Sequence, residues 1–575
     1  MKWKRTEAQS AARQFRLRGF AVLGVLALCA IAIVARAIDL QVLTHTFLAK
    51  KGAARYMRTA RIPAHRGAIV DRYGEPLAVS TPVDTVWANA AELDGAQEQL
   101  PRLAKALGRD REWLTRRVTS NLDSQFLVLA KQLQPDEAAR IKALAIPGIY
   151  LQREYRRYYP DGEVTGHVLG FTGEADQGQE GLELAYEQKL GGEDGLKRII
   201  QDRNGNVVEN VDSIRAPRPG EELTTSIDRR IQYLAYRELK TAIRDFEARA
   251  GSVIVVDVWT GEILAMVNQP SFNPNDRTQF EVALYRNRAA TDIFEPGSSI
   301  KPFVVAAALA GGKLKPDSVI DTNPGFIKVG TAVFEDEHNF GALDIAGVLA
   351  KSSNVGMAHI ALALDRSAIW ETLNSFGFGH VSATGFPGES AGLLSNYAHW
   401  HDVTVATIAH GYGVSVTPLQ LTQAYATLAA WGIRRPLTFR RQNEIATGDR
   451  VLDPQVCRDL IRLLEKVVTA GTGARAAVPG YHVAGKTGTA WKAIPGGYST
   501  DKYMAVFGGL VPATAPRLAA VVVIDEPSGG KYHGADVAAP VFSAVMAGAL
   551  RLLAVPPDDL TGVPSATLVQ AMPLR

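Results

Sequence analysis

Pro296-Gly297-Ser298-Ser299-Ile300-Lys301-Pro302, running into the apolar stretch Phe303-Val304-Val305-Ala306-Ala307-Ala308-Leu309, is the segment from which the rest of this sequence is read. The apolar stretch predicts a buried helix. Pro302 has no amide hydrogen and fits only near a helix start, so the helix is expected to begin at about Ser298. Residues three apart share a helix face, which puts the Ser298 hydroxyl beside the Lys301 amine. A serine hydroxyl is a poor nucleophile until a neighbouring base takes its proton, and a lysine one turn away can be that base. Negative charge developing there also meets the positive end of the helix dipole. The same spacing recurs at Ser499/Lys502 and Ser528/Lys531, but neither opens an apolar helical run, and both read as loop.

Upstream, Val253-Ile254-Val255-Val256-Asp257, Trp259-Thr260-Gly261-Glu262 and Ile263-Leu264-Ala265-Met266-Val267 predict strand, turn and strand. Downstream, Ala505-Val506-Phe507 and Leu518 to Ile524 predict a second such pair. Helical patterns fill the middle at Pro302–Ala310, Val355–Leu364, Pro418–Ala430 and Pro454–Thr469, with a longer one at Ile227 to Ala248. Strands at both ends with helices between predict one sheet assembled from distant segments. From Leu40 to Asp228 the chain has short β-like runs, turn residues and helical patterns at Pro101–Leu107 and Pro135–Leu144, with no grouping of nucleophile and base.

At 575 residues, with 46% hydrophobic and 21% charged side chains, the chain is globular and large enough for more than one domain. A net charge of +4 with no long basic block beyond the N-terminus gives no reason to expect nucleic acid. The two cysteines, Cys29 and Cys457, exclude disulfide scaffolds and cysteine metal sites. Gly19 to Ala35 is an uncharged run of 17 residues, about 25 Å as a helix and near the lower limit for a bilayer span. Its length exceeds the apolar region of a cleaved secretory signal, although Ala35-Arg36-Ala37 resembles a cleavage site. The run therefore reads as an uncleaved anchor, and Lys2, Lys4, Arg5, Arg13, Arg16 and Arg18 before it place the N-terminus in the cytoplasm.

Two further motifs lie downstream of Ser298. Ser352-Ser353-Asn354 opens an apolar helical run and offers a hydroxyl able to relay a proton and an amide; a bare helix cap is its structural alternative. Lys486-Thr487-Gly488-Thr489 stands on a strand edge, where Gly488 lets the backbone approach a ligand and Lys486 and Thr487 offer donors to a carboxylate. In this order, Ser-x-x-Lys, Ser-x-Asn and Lys-Thr-Gly resemble the signature of penicillin-binding proteins and serine β-lactamases. Arg66 to Gly74, Gly178 to Glu183 and Asp202-Arg203-Asn204-Gly205 resemble boxes of the non-catalytic pedestal of class B penicillin-binding proteins. Arg157-Tyr158-Tyr159-Pro160 and Gly411 to Gln420 look most like the cell-division branch of that family, the septal peptidoglycan D,D-transpeptidases of Gram-negative bacteria.

The resemblance implies a mixed α+β and α/β architecture: cytoplasmic tail 1–18, transmembrane anchor 19–40, elongated β-rich pedestal or dimerisation-type domain 41–228, transpeptidase domain 229–555 with an antiparallel sheet flanked by helices, and tail 556–575. It implies that Ser298 attacks the penultimate D-Ala carbonyl of a stem peptide, with Lys301 as base and with Ser352 and Lys486 handling the leaving-group proton. Asn354, Thr487, Gly488 and Thr489 would bind substrate, and the amides of Ser298 and Thr489 would form the oxyanion hole. β-Lactams would acylate the same serine. Lys301 must be neutral to act, through burial and the nearby Lys486 charge. No cofactor or metal is implied. The implied partners are nascent peptidoglycan, a polytopic division glycosyltransferase and other membrane proteins of the division machinery, at the inner membrane with the catalytic domain in the periplasm. A side-wall elongation enzyme, a D,D-carboxypeptidase and a non-enzymatic scaffold or β-lactam sensor are the alternatives. Outside the three motifs, His399-Trp400-His401 and the cluster Glu335-Asp336-Glu337-His338 read as polar surface loops, and Cys457 as a core residue.

Overall fold

Val253, Val255 and their alternates Ile254 and Val256 face opposite sides of one strand, and all four are fully buried. Such a strand must be covered on both faces, and the computed structural model shows how. It describes residues 3–48, 57–122, 124, 126–174, 176–201, 207–276, 278 and 281–559. The Asp202-Arg203-Asn204-Gly205 box and the tail from 560 onward lie outside the described residues.

The larger of two compact units comprises His65–Pro82, Tyr155–Gly192 and Pro219–Arg575. In chain order its principal elements are α1 (Arg229–Asp245), β1 (Ala250–Asp257), β2 (Ile263–Gln269), α2 (Lys301–Ala310), α3 (Asn354–Leu362), α4 (Pro418–Ala429), α5 (Pro454–Ala470), β3 (Ala484–Ile494), β4 (Gly497–Val511), β5 (Leu518–Asp525) and α6 (Ala539–Leu552). The strands form one antiparallel sheet in the order β2-β1-β5-β4-β3, so segments far apart in sequence do share a sheet. One face, with Val253, Val255, Val522 and Phe507, packs in a core with α1 and α6; the other, with Ile254, Val256, Val521 and Val523, packs in a core with α2, α4 and α5. The edge position of β3 leaves one side of the Lys486-Thr487-Gly488 backbone free of strand pairing.

Helix α4 is buried along its whole length, and its polar side chains are satisfied internally. Thr417 and Gln420 close a capping box, Thr422 bonds back to the Pro418 carbonyl, and the Tyr425 hydroxyl reaches the Ser299 carbonyl at 2.9 Å. Tyr425 and Phe376 both pack against Phe303, with ring centroids 5.3 and 4.9 Å away. The turn that carries Ser298 is thereby held from beneath.

The smaller unit comprises Met1–Ala64, Val83–Glu154 and Glu193–Arg218. Met57–Ile62, Gly195–Gln201 and Val207–Arg215 form a three-stranded antiparallel sheet there. A separate core gathers Val86, Leu103, Leu114, Leu127 and Ile141 from the segment 83–154. Neither unit is contiguous in sequence, whereas the sequence reading drew the two main domains as continuous segments, 41–228 and 229–555. The N-terminal helix Trp3–Ile38 continues as a π turn over Asp39–Leu43. Within its apolar part, Phe15–Leu43, an 18-residue stretch has mean hydropathy 2.5 and buries nothing, which fits a single-pass membrane anchor.

Two local expectations are corrected. Ser499 and Lys502 lie within β4, not in a loop, because the stretch from Gly497 to Tyr503 pairs with the end of β3. The helix expected from Ser298 opens as a 3₁₀ turn over Gly297–Ile300, and α-helix begins only at Lys301, with Pro302 in its first turn.

Candidate active site

Ser298 is fixed by the turn it occupies. Gly297 donates its amide to the Gly411 carbonyl at 3.1 Å, and the Ser299 hydroxyl donates to the Pro296 carbonyl at 2.7 Å. A Cβ on Gly411 would stand 2.1 Å from the Gly297 carbonyl oxygen, and one on Gly488 would stand 2.7 Å from that of Pro296. Both approaches require glycine. The first brings the Gly411 turn, and the second β3, against the turn that carries Ser298.

Ser352 precedes α3 with φ +57°, a conformation uncommon outside glycine. The helix cap is its neighbour: the Ser353 hydroxyl accepts from the Gly356 amide at 2.8 Å. Ser352 is thus free of capping, and its hydroxyl donates to Ser298 Oγ at 3.0 Å. Lys301 Nζ donates to the same Ser352 Oγ at 3.2 Å, and Lys486 Nζ does so at 3.0 Å. One hydroxyl therefore meets all three partners. Among the described residues no hydrogen bond joins Lys301 Nζ directly to Ser298 Oγ; the link runs through Ser352.

Both lysines are fully buried. Lys301 Nζ also donates to the Ser352 carbonyl at 2.6 Å and to Asn354 Oδ1 at 2.9 Å. Burial lowers its pKa to about 7, against the opposing pull of Asp336. Lys486 is held well below the ordinary lysine value by burial and then by the charge of Lys301. The repulsion between the amines therefore acts on Lys486, where the sequence reading had it lowering Lys301.

Lys486 Nζ reaches the Thr487 carbonyl at 3.1 Å, and Thr487 Oγ1 lies 2.9 Å from Thr472 Oγ1. Thr489 Oγ1 accepts from the Gly534 amide at 3.0 Å. Asn354 Nδ2 donates one hydrogen to the Glu335 carbonyl at 3.0 Å, and its second remains for another acceptor. All eight sequence-chosen residues thus belong to three segments that meet around Ser298.

Asp336 was missed. Its carboxylate accepts from Ser353 Oγ at 2.6 Å, from the Asn354 amide at 2.5 Å and from the Val355 amide at 3.1 Å. It anchors the start of α3 through free helix amides, a favoured place for an anion. Glu337 and His338 are exposed as a rim loop should be, but Glu335 ends the strand Ala332–Glu335 and Asp336 is half-buried beneath the motif. His410, buried beside Lys301, is held neutral, its pKa lowered to about 3 by burial and by that cation. His399 and His401 are exposed around the buried Trp400, whose indole donates to Ser395. Cys457 is buried in α5 with its thiol pushed up to about 12 by burial.

The geometry has counterparts among known proteins. The family described as penicillin binding protein transpeptidase domain matches residues 251–547, and that described as penicillin-binding protein dimerisation domain matches 61–225. The chain is 42% identical over 528 residues to a peptidoglycan D,D-transpeptidase FtsI of Escherichia coli, covering 91% of this chain and 89% of that one. It is 39% identical over 541 residues to a probable peptidoglycan D,D-transpeptidase PenA of Neisseria meningitidis, covering 93% of each. The TP domain of Burkholderia pseudomallei penicillin-binding protein 3 is 41% identical, with TM-score 0.54 over 58% of this chain and 97% of that one. A peptidoglycan synthetase from Bifidobacterium adolescentis shares the fold at 24% identity, with TM-score 0.69 over 88% of this chain and 98% of that one.

Proposed function

This chain belongs to the class B penicillin-binding proteins, with a dimerisation-type domain and a transpeptidase domain, and on that premise we propose how its residues divide the work. It is a serine-type peptidoglycan D,D-transpeptidase of the septal, cell-division type, and a target of β-lactams. The observation carrying the assignment of roles is the Ser352 hydroxyl, within hydrogen-bond reach of Ser298 and both lysines.

Ser298 Oγ attacks the penultimate D-Ala carbonyl of the donor stem peptide. With Lys301 neutral, the Ser298 proton passes to Ser352 while Ser352 yields its own to an amine; hydroxyl rotation makes either direction available. Amides of Ser298 and Thr489 receive the oxyanion, a contribution of about 3–4 kcal/mol per donor. Lys486, Thr487 and Thr489 hold the terminal carboxylate against the Gly488 backbone, and Asn354 holds the peptide amide. D-Ala leaves with the relayed proton. The acceptor amine then takes the acyl group, its proton returns to Ser298 Oγ, and a cross-link results.

The N-terminal helix anchors the protein in the inner membrane, its basic N-terminus in the cytoplasm and its catalytic domain in the periplasm. Nascent peptidoglycan strands are its substrate, supplied by a polytopic glycosyltransferase of the division machinery. Depletion with complementation tests the reading. Ser298→Ala should leave filamentous cells and take no labelled penicillin; full rescue of septation by this variant would overturn the assignment.

A further inference from the structure

Helices α1 and α6 cover the sheet face opposite the one that packs with α2, and a groove of about 900 Å³ opens between them. A Cβ on Gly548 would meet Leu234 Cδ2 at 2.2 Å, so glycine is what lets α6 close on α1 at this point. Val164, Leu234 and Leu552 give the groove an apolar lining, and Tyr233 stands 54% exposed in its wall. Four arginines also line it, with Asp161 the only carboxylate among the lining residues. Arg229, Tyr233 and Arg237 are four apart and so share one face of α1. Three of the guanidinium groups have carboxylate partners, and in each pair the carboxylate is the more buried member. Arg229 meets Asp161 at 2.6 Å with side chains 41% and 11% exposed, and Arg230 meets Asp228 at 2.7 Å with 47% and 0%. Arg237 meets Glu238 at 2.6 Å. Arg551 has no ion pair among the described residues, and its Nε donates to the Ala547 carbonyl of its own helix. The groove therefore turns cations outward.

We propose that this groove docks an acidic segment of another protein, its carboxylates on Arg237 and Arg551 and an apolar side chain against Tyr233 and Leu552. Charge complementarity selects the partner: a guanidinium has five donors in a fork that matches a carboxylate, and each keeps donors beyond those spent locally. Arginine and tyrosine are also the side chains that concentrate at the energetic centres of protein interfaces. Arg230 widens the surface, its guanidinium 4.7 Å above the ring of the exposed Tyr73. A free inorganic anion would leave Tyr233, Leu234 and Leu552 uncovered, whereas a peptide covers them. The sheet stands between this groove and α2, so the site is an interaction surface outside the cleft around Ser298.

The test places the photo-crosslinker p-benzoylphenylalanine at position 233 of the full-length chain in growing cells, with the same probe at the exposed Ile445 as control. Adducts are isolated and the crosslinked peptide is sequenced. Position 233, and not 445, should capture a protein segment in which Asp and Glu outnumber Lys and Arg. Reversing the charge with Arg237→Glu and Arg551→Glu together should cut the adduct yield about tenfold or more, as the loss of close charge pairs across an interface does. Penicillin labelling of Ser298 should stay within about twofold, because the sites are far apart and share no partner. If the reversed variant loses labelling through misfolding, Arg237→Gln with Arg551→Gln decides in its place. Absence of a protein adduct at 233, an adduct to lipid, or a captured segment that is neutral or basic would each overturn the proposal. So would an acidic adduct whose yield is indifferent to the arginine substitutions.

Discussion

Lys301 sets the pH behaviour of the site. Its folded pKa is lowered to about 7 by burial, so the neutral amine becomes dominant as pH rises through that value. The acylation rate constant is expected to climb over the same interval, where an unshifted lysine would defer the climb to about pH 10.4. Stopped-flow acylation by a fluorescent penicillin across the neutral range measures this, and a rise delayed to alkaline pH contradicts it. Asp336 raises the Lys301 pKa, so Asp336→Asn is expected to move the midpoint to lower pH. The same change weakens the charged contacts to Ser353, Asn354 and Val355, so the plateau rate should fall as well. Ser298, Lys301, Ser352 and Lys486 were legible in the sequence because each sits in a short motif at fixed spacing. Asp336 was not, since its partners are mainly backbone amides far along the chain. Ser353 took the capping role that sequence alone could not separate from Ser352.

Helices and strands were read well where packing and local pattern agree. The Pro418–Ala430 and Pro454–Thr469 predictions differ from α4 and α5 by one residue at the C-terminus. The misses fall where tertiary contact decides: β4 extends through Tyr498 to Tyr503 because β3 pairs with it. At this scale the decisive feature is the approach of β3 to the nucleophile turn. In Gly488→Ala the new methyl would meet the Pro296 carbonyl oxygen at 2.7 Å and Ser299 Cβ at 3.2 Å, and backbone cannot yield cheaply. Penicillin acylation should slow at least about tenfold, or 1.4 kcal/mol of barrier, and the same strain should lower the thermal transition. An unchanged rate would show that strand and turn have more slack than this geometry allows.

For the molecule as a whole, the sheet assembled from both ends of its domain followed from the apolar strands flanking a helical middle. The division into two non-contiguous units did not, because nothing local marks where a chain leaves one core for another. The exposed Phe15–Leu43 surface requires a membrane or detergent. Deleting residues 1–43 should give a protein soluble without detergent and labelled by penicillin at close to the full-length rate, yet unable to restore septation in depleted cells. Rescue by that variant would contradict the anchor reading.

All of this depends on one hydroxyl joining the nucleophile to two buried amines. The second-order rate constant for penicillin acylation of Ser352→Ala, set against the wild type with the fold checked by circular dichroism, tests that claim most directly. The proton relay predicts a loss of about a hundredfold or more. A folded variant acylated at nearly the wild-type rate would contradict it.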